Sequence, residues 1–213
     1  MTRARRRRVT WLGLVVALGA GCAVQKQVRV DFSETPRDYL AGDYQGVYER
    51  WTRHDFASHD VVDKALEVWA TFKSWDFREA YIEKYAAIYN LSDAERNKLR
   101  QGQRDAYHAA YEFRVTAQSA NWDWNDLDKR NTAWVVTLVD ALGHELPSER
   151  VTIDRLPDAA ERVFYPSKTP FSKSYSIRFL MPAQGGEFDG VKSGAITLRI
   201  ASPIGKIELV WKS

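Results

Sequence analysis

Between about residues 35 and 117 the apolar positions recur at helical spacing, the period that stacks side chains three and four apart on one face. Leu40, Tyr44, Val47, Tyr48 and Trp51 form one stripe, and Val62, Leu66, Trp69 and Phe72 a second. Tyr81, Ile82, Tyr85, Ile88 and Tyr89 form a third, and Leu99, Ala106, Ala110, Phe113 and Ala117 a fourth. The pattern predicts four helices. Start signals agree, since Thr35 precedes Pro36, and Ser92 precedes Glu95 by the spacing of a capping box, in which each side chain satisfies an otherwise unpaired backbone N–H. Residues 54–60 and 90–93 then read as connections. Gly42 and Gly46 each weaken the first helix by about 1 kcal/mol relative to alanine.

From about residue 132 the period changes to two. Val151 and Ile153, then Tyr175, Ile177, Phe179 and Met181, then Ile196, Leu198 and Ile200, and finally Ile207, Leu209 and Trp211 alternate with polar neighbours. Such alternation predicts antiparallel sheet with one buried face. Residues 134–139 are apolar on both faces and read as a central strand, with turn signals at Ala141-Leu142-Gly143 and Ser202-Pro203-Ile204-Gly205. Short strands at this spacing resemble a small immunoglobulin-like β-sandwich, without that family's inter-sheet disulfide. The expected class is therefore α+β, with a helical region over 35–117 and a sandwich over 118–213. Val28, Val30 and Phe32 also alternate with polar residues. This segment is either a first strand, making one composite domain, or part of a tether over 23–34 reaching on the order of 40 Å when extended.

The N-terminus follows a different logic. Residues 1–8 carry five arginines and no acid, residues 9–20 are almost wholly apolar, and Gly19-Ala20-Gly21 leads into Cys22. A basic segment, a short apolar run and small residues at the cut describe a secretory signal over residues 1–21, too short for the roughly 20 apolar residues of a membrane-spanning helix. Ala20, Gly21 and Cys22, with Leu18 one position early and Gly19 in the place of the larger aliphatic, resemble the signal of bacterial lipoproteins. That resemblance implies that Cys22 is lipidated and becomes the first residue, and that Ala23, in place of an aspartate, directs the product to an outer membrane. An ordinary secretory cut nearby would instead leave Cys22 a free thiol. Arg7-Arg8 before Val9-Thr10-Trp11-Leu12 also resembles a twin-arginine export signal.

Removing residues 1–21 lowers the basic residues from 31 to 26 against 28 acids. The mature chain of 192 residues then carries −2, so the basicity belongs to the signal. No clustered positive field remains of the kind that neutralises nucleic-acid phosphates. Cys22 is also the sole cysteine, so no intrachain disulfide can form and stability must come from core packing.

Catalytic signatures are absent: the chain has no Gly-x-Ser-x-Gly elbow, no phosphate-cradling glycine loop, no His-Glu-x-x-His and no paired cysteines. His54-Asp55 and His59-Asp60 are spaced so that only a loop could converge them on a metal, and Asp60 equally suits a helix cap. His108 and His144 stand alone. Asp123, Asn125, Asp126 and Asp128, interleaved with Trp122 and Trp124, could offer oxygen ligands to calcium but lack the turn glycine and distal glutamate of an EF-hand. The same residues suit a turn with both indoles in the helix–sheet seam, or an exposed tryptophan pair stacking on a sugar. Tyr81, Tyr85 and Tyr89, with Tyr107 and Tyr111, could border a core or line a ligand or partner groove.

The expectation is an exported, lipid-anchored envelope protein with no cofactor and no resident metal, acting as a non-catalytic binding or assembly module. Its partners would be the membrane, through Cys22, and an envelope protein or glycan met at Trp122, Trp124, Tyr81, Tyr85 and Tyr89. A periplasmic carrier of an apolar ligand and a cell-wall hydrolase using Asp123 or Asp126 with a histidine stand as rivals.

Overall fold

A computed structural model describes residues 28–58, 64–182 and 186–213. Cys22, the signal segment, His59, Asp60 and Val62 lie outside the described residues. The fold is α+β. Among the described residues, four α-helices accompany nine strands in two antiparallel sheets.

The helix predicted around residues 62–72 is a strand. β1 (Thr52–Ser58) and β2 (Lys64–Phe72) form an antiparallel hairpin, with Thr52 opposite Thr71 and Ala57 opposite Leu66. Leu66, Val68, Ala70 and Phe72 enter the core in alternation, but the other face is covered as well, so Ala65, Glu67 and Thr71 are also buried. A strand buried on both faces loses the apolar–polar alternation that identifies strands in sequence. Residues 54–58, expected in a connection, are likewise strand.

The fourth predicted helix divides in two. α3 (Asp93–Ala109) passes directly into β3 (Ala110–Gln118). Phe113 and Ala117 are spaced by four, a separation that fits either period, and in β3 they join Tyr111 and Val115 in the core. The first helix is also shorter than the start signal at Thr35 predicts, with α1 spanning Tyr44–Trp51 after a single 3-10 turn at Ala41–Asp43. α2 (Trp75–Tyr89) and α3 match the pattern, and the Ser92–Glu95 capping box is formed.

The period-two stretch becomes β4 (Val135–Asp140), β5 (Glu145–Pro147), β6 (Arg150–Ile153), β7 (Lys173–Leu180), β8 (Ala195–Ser202) and β9 (Gly205–Lys212). One sheet has the order β1-β2-β3-β7-β6 and the other β5-β4-β8-β9, so β4 is internal to its sheet. The larger sheet draws β1, β2 and β3 from residues 52–118, so the strands are not confined to the C-terminal half. α4 (Asp158–Phe164), a seven-residue helix without a side-chain cap, lies inside the stretch read as strands.

A single apolar cluster joins the inner faces of both sheets with α1 and α2, including Trp51, Phe72, Phe113, Leu198 and Trp211. Val30 also belongs to it, and the Val30 amide donates to the Lys212 carbonyl at 2.9 Å beside a parallel bridge from Arg29 to Lys212. Residues 28–32 thus meet the C-terminal sheet. β1 runs beside β9: Arg53 Nε donates to the Val210 carbonyl at 2.8 Å, and the Glu208 amide donates to Asp55 Oδ2 at 3.1 Å. α3 buries only Tyr107 fully. It is held to α2 by Arg100 and Arg96, whose guanidinium nitrogens stand 2.7 and 3.2 Å from Glu83 oxygens.

Candidate functional site: an aromatic-rimmed groove

At the end of the larger sheet, β2 and β3 bring Lys64, Glu67 and Gln118 to the floor of an open groove of about 510 Å³. Its walls come from Ser119 and Ala120, from Trp122, and from Phe171 on the loop before β7. Trp122 is 53% exposed and Phe171 71% exposed. Two large aromatic faces in water beside a polar floor are the informative combination, since isolated exposed apolar residues are ordinary.

Local chemistry fixes both floor and rim. Glu67 Oε1 accepts from Lys64 Nζ at 2.5 Å and lies 2.9 Å from His54 Nε2, while Oε2 accepts from Gln118 Nε2 at 2.7 Å. Burial would raise the Glu67 pKa, but the hydrogen bonds from Lys64, Gln118 and His54 outweigh it and hold the carboxyl below its usual range. His54 is itself stacked on Trp69, with ring centroids 4.6 Å apart. Asn121 caps the short 3-10 turn Trp122–Trp124 by accepting the Asp123 amide at 3.1 Å. The Lys173 ammonium lies 5.8 Å from the centre of the Trp122 ring, a cation–π arrangement that orients the indole. The result is an ionised carboxylate and an amide between two aromatic surfaces, an arrangement suited to a ligand that combines hydroxyl groups with flat apolar faces.

The sequence-predicted residues separate in space. Trp122 forms the groove rim. Trp124 is only partly exposed, and its backbone carbonyl accepts from Trp134 Nε1 at 2.7 Å. Asp123 is exposed, Asp126 accepts from Thr132 Oγ1, and the Asn125 side chain is buried against Ala117 and Tyr175. Of the described histidines, His54 pairs with Glu67 on the groove floor, whereas His144 pairs with Asp140 and His108 with Glu34 at 3.6 Å. Among the described residues no group of three or more His, Cys, Asp or Glu side chains could hold a metal ion.

Tyr81, Tyr85 and Tyr89 form a ladder along α2, with successive ring centroids 5.7 and 4.3 Å apart. Phe164 of α4 packs on Tyr81 and Tyr85 at 5.0 and 5.9 Å. Tyr89 is 47% exposed, whereas Phe113 is enclosed by Phe72, Phe179 and Trp211 in the core. Nothing in the sequence pattern marks Phe171, Glu67 or Gln118. Phe171 sits in a loop without periodicity, and the polar floor becomes visible only once β2 and β3 are paired.

The groove opens toward the Ser58 end of β1 and the N-terminal end of the described chain meets its Arg53 end, while His54, next to Arg53, reaches the groove floor through Glu67. Arg53, at the start of the strand, donates from Nη2 to the Val28 carbonyl at 2.9 Å, while Ser58, at its end, pairs with Lys64 of the groove. Five residue steps at the rise of a strand separate them by about 17 Å. Among the described residues no helix is long and apolar enough to cross a membrane.

No family model matches the chain, and no curated protein matches it. Among solved structures, it is similar to the crystal structure of a novel protein of unknown function from Burkholderia pseudomallei, at 16% identity and a TM-score of 0.39 over 83% of this chain and 92% of that one.

Proposed function

We propose that the chain is an exported envelope lipoprotein, anchored through Cys22, whose folded body is a non-catalytic binding or assembly module. The groove bounded by Trp122 and Phe171 carries this reading. Six residue steps between Cys22 and Val28 reach at most about 20 Å, so an acylated Cys22 would hold the Val28 end of the body near a bilayer. The groove, open toward the Ser58 end of β1, would face away from it. One acyl chain binds a membrane only marginally, whereas two or more anchor stably; the lipoprotein resemblance implies at least a diacylglyceryl group. Such an anchor raises the effective concentration of the groove toward other envelope components.

An envelope glycan is the partner that the groove suits best. A sugar ring offers a C–H face to Trp122 or Phe171 and hydroxyls to the Glu67 carboxylate and the Gln118 amide. The test is pull-down of the full chain on insoluble cell-wall glycan, comparing the natural sequence with Trp122→Ala. Because truncating an anchoring tryptophan typically costs 2 kcal/mol or more, retention should fall at least about tenfold. Equal retention of both chains would remove the groove from the interaction.

A further inference from the structure

We propose that a second, smaller cavity between α2, α3 and the segment preceding α4 binds a small organic carboxylate. It has a volume of about 140 Å³ and is lined by Lys73, Arg78, Tyr81, Gln103, Asp154 and Tyr165, with Phe77 and Leu156 as its apolar walls. A cavity of comparable volume accommodates benzene, so an occupant of roughly six to eight non-hydrogen atoms would fill it.

The lining is rich in donors whose acceptors the protein does not supply. Arg78 is 2% exposed in its side chain and is committed: Nε donates to the Lys73 carbonyl at 3.0 Å, Nη1 to Gln103 Oε1 at 2.5 Å and Nη2 to Glu112 Oε2 at 2.8 Å. Gln103 therefore has its carbonyl occupied and its amide hydrogens left to donate. Lys73 Nζ comes no nearer than 3.9 Å to Glu112, beyond hydrogen-bond distance. Among the described residues no protein group accepts from Lys73 Nζ, Tyr81 Oη or Tyr165 Oη, and none of these donors is sealed from solvent. Asp154, the carboxylate in the lining, is taken up by Arg114, which also binds Glu161.

The charges agree with the donors. Among the described residues, Lys73, Arg78, Arg114 and Lys168 face Glu112, Asp154 and Glu161, which leaves one positive charge unmatched in this set. Arg178 and Glu149 at the margin balance each other, with a 3.0 Å contact. The Lys73 side chain is 21% exposed at the mouth of this cavity, and a carboxylate there would supply both the missing charge and acceptors for Lys73 and the two tyrosines. Phe77 and Leu156 favour a ligand with a short apolar body over inorganic phosphate. Burial lowers the Lys73 pKa and raises that of Tyr81 to about 12; an anion between them would oppose the first shift.

Butyrate fits the volume, and butyramide is its uncharged isostere. Titrating each into the uniformly 15N-labelled full chain in detergent micelles, with amide resonances followed by NMR, separates charge recognition from simple filling. Butyrate should shift the resonances around Lys73, Arg78 and Tyr165 saturably, and butyramide should bind at least tenfold more weakly. Lys73→Met should lower butyrate affinity tenfold or more, and Tyr165→Phe, which deletes only a hydroxyl, should lower it several-fold if the methionine variant does not fold. Phosphate should compete poorly. Absence of saturable shifts with butyrate, equal responses to butyrate and butyramide, or unchanged affinity in a folded Lys73→Met chain would each overturn the proposal.

Discussion

Asp76 shows what a single buried carboxylate does for this fold. Its side chain is 2% exposed and gathers Arg37 Nη1 at 2.9 Å, Arg50 Nη1 at 3.1 Å and Trp51 Nε1 at 2.7 Å, joining the segment before α1, the end of α1 and the first turn of α2. Removing one partner of a buried charge cluster leaves the others uncompensated, so Asp76→Ala should cost about 3–5 kcal/mol in denaturant unfolding. Glu67 gives a pH-dependent counterpart. Its folded pKa is lowered from 4.5, so its contribution is fully present above the unfolded value and disappears as pH falls through the folded one. In unfolding curves recorded between pH 7 and pH 3, Glu67→Gln should be less stable at neutral pH, and the difference should close toward the acid end. Neither role was legible in the sequence, because each depends on donors from distant segments. The Ser92–Glu95 pair was legible because both partners lie within one helical turn.

At the scale of elements, local pattern succeeds where one face is wet and fails where both are covered. β7, β8 and β9 expose alternate polar residues and were legible, whereas β2 hides the alternation by burying Glu67 and Thr71 beside its apolar residues. The helix-to-strand junctions at Trp51/Thr52 and Ala109/Ala110 contain no glycine or proline to mark them. α4 is short, but Phe164 is buried between Tyr44, Tyr81 and Tyr85, and its carbonyl accepts from Tyr44 Oη at 2.7 Å. Phe164→Ala should therefore destabilise the protein by about 3–5 kcal/mol in the same unfolding assay. Ser92→Ala, at an exposed helix start, should cost only about 1 kcal/mol. The tyrosine stripe on α2 was visible in the sequence; that an unanticipated helix covers part of it was not.

For the whole molecule, the proposed lipid anchor at Cys22 and the proposed binding role of the aromatic-rimmed groove lined by Trp122 and Phe171 make one spatial account. Trp122 was legible as a candidate surface residue, but its partners Phe171, Glu67 and Gln118 come from three separate segments that only the tertiary fold unites. The account depends first on the anchor. Intact-mass analysis of the protein extracted from its native membranes tests that most directly. A chain beginning at Cys22 and carrying at least a diacylglyceryl group is the predicted result, whereas a chain with an unmodified Cys22 thiol would contradict it.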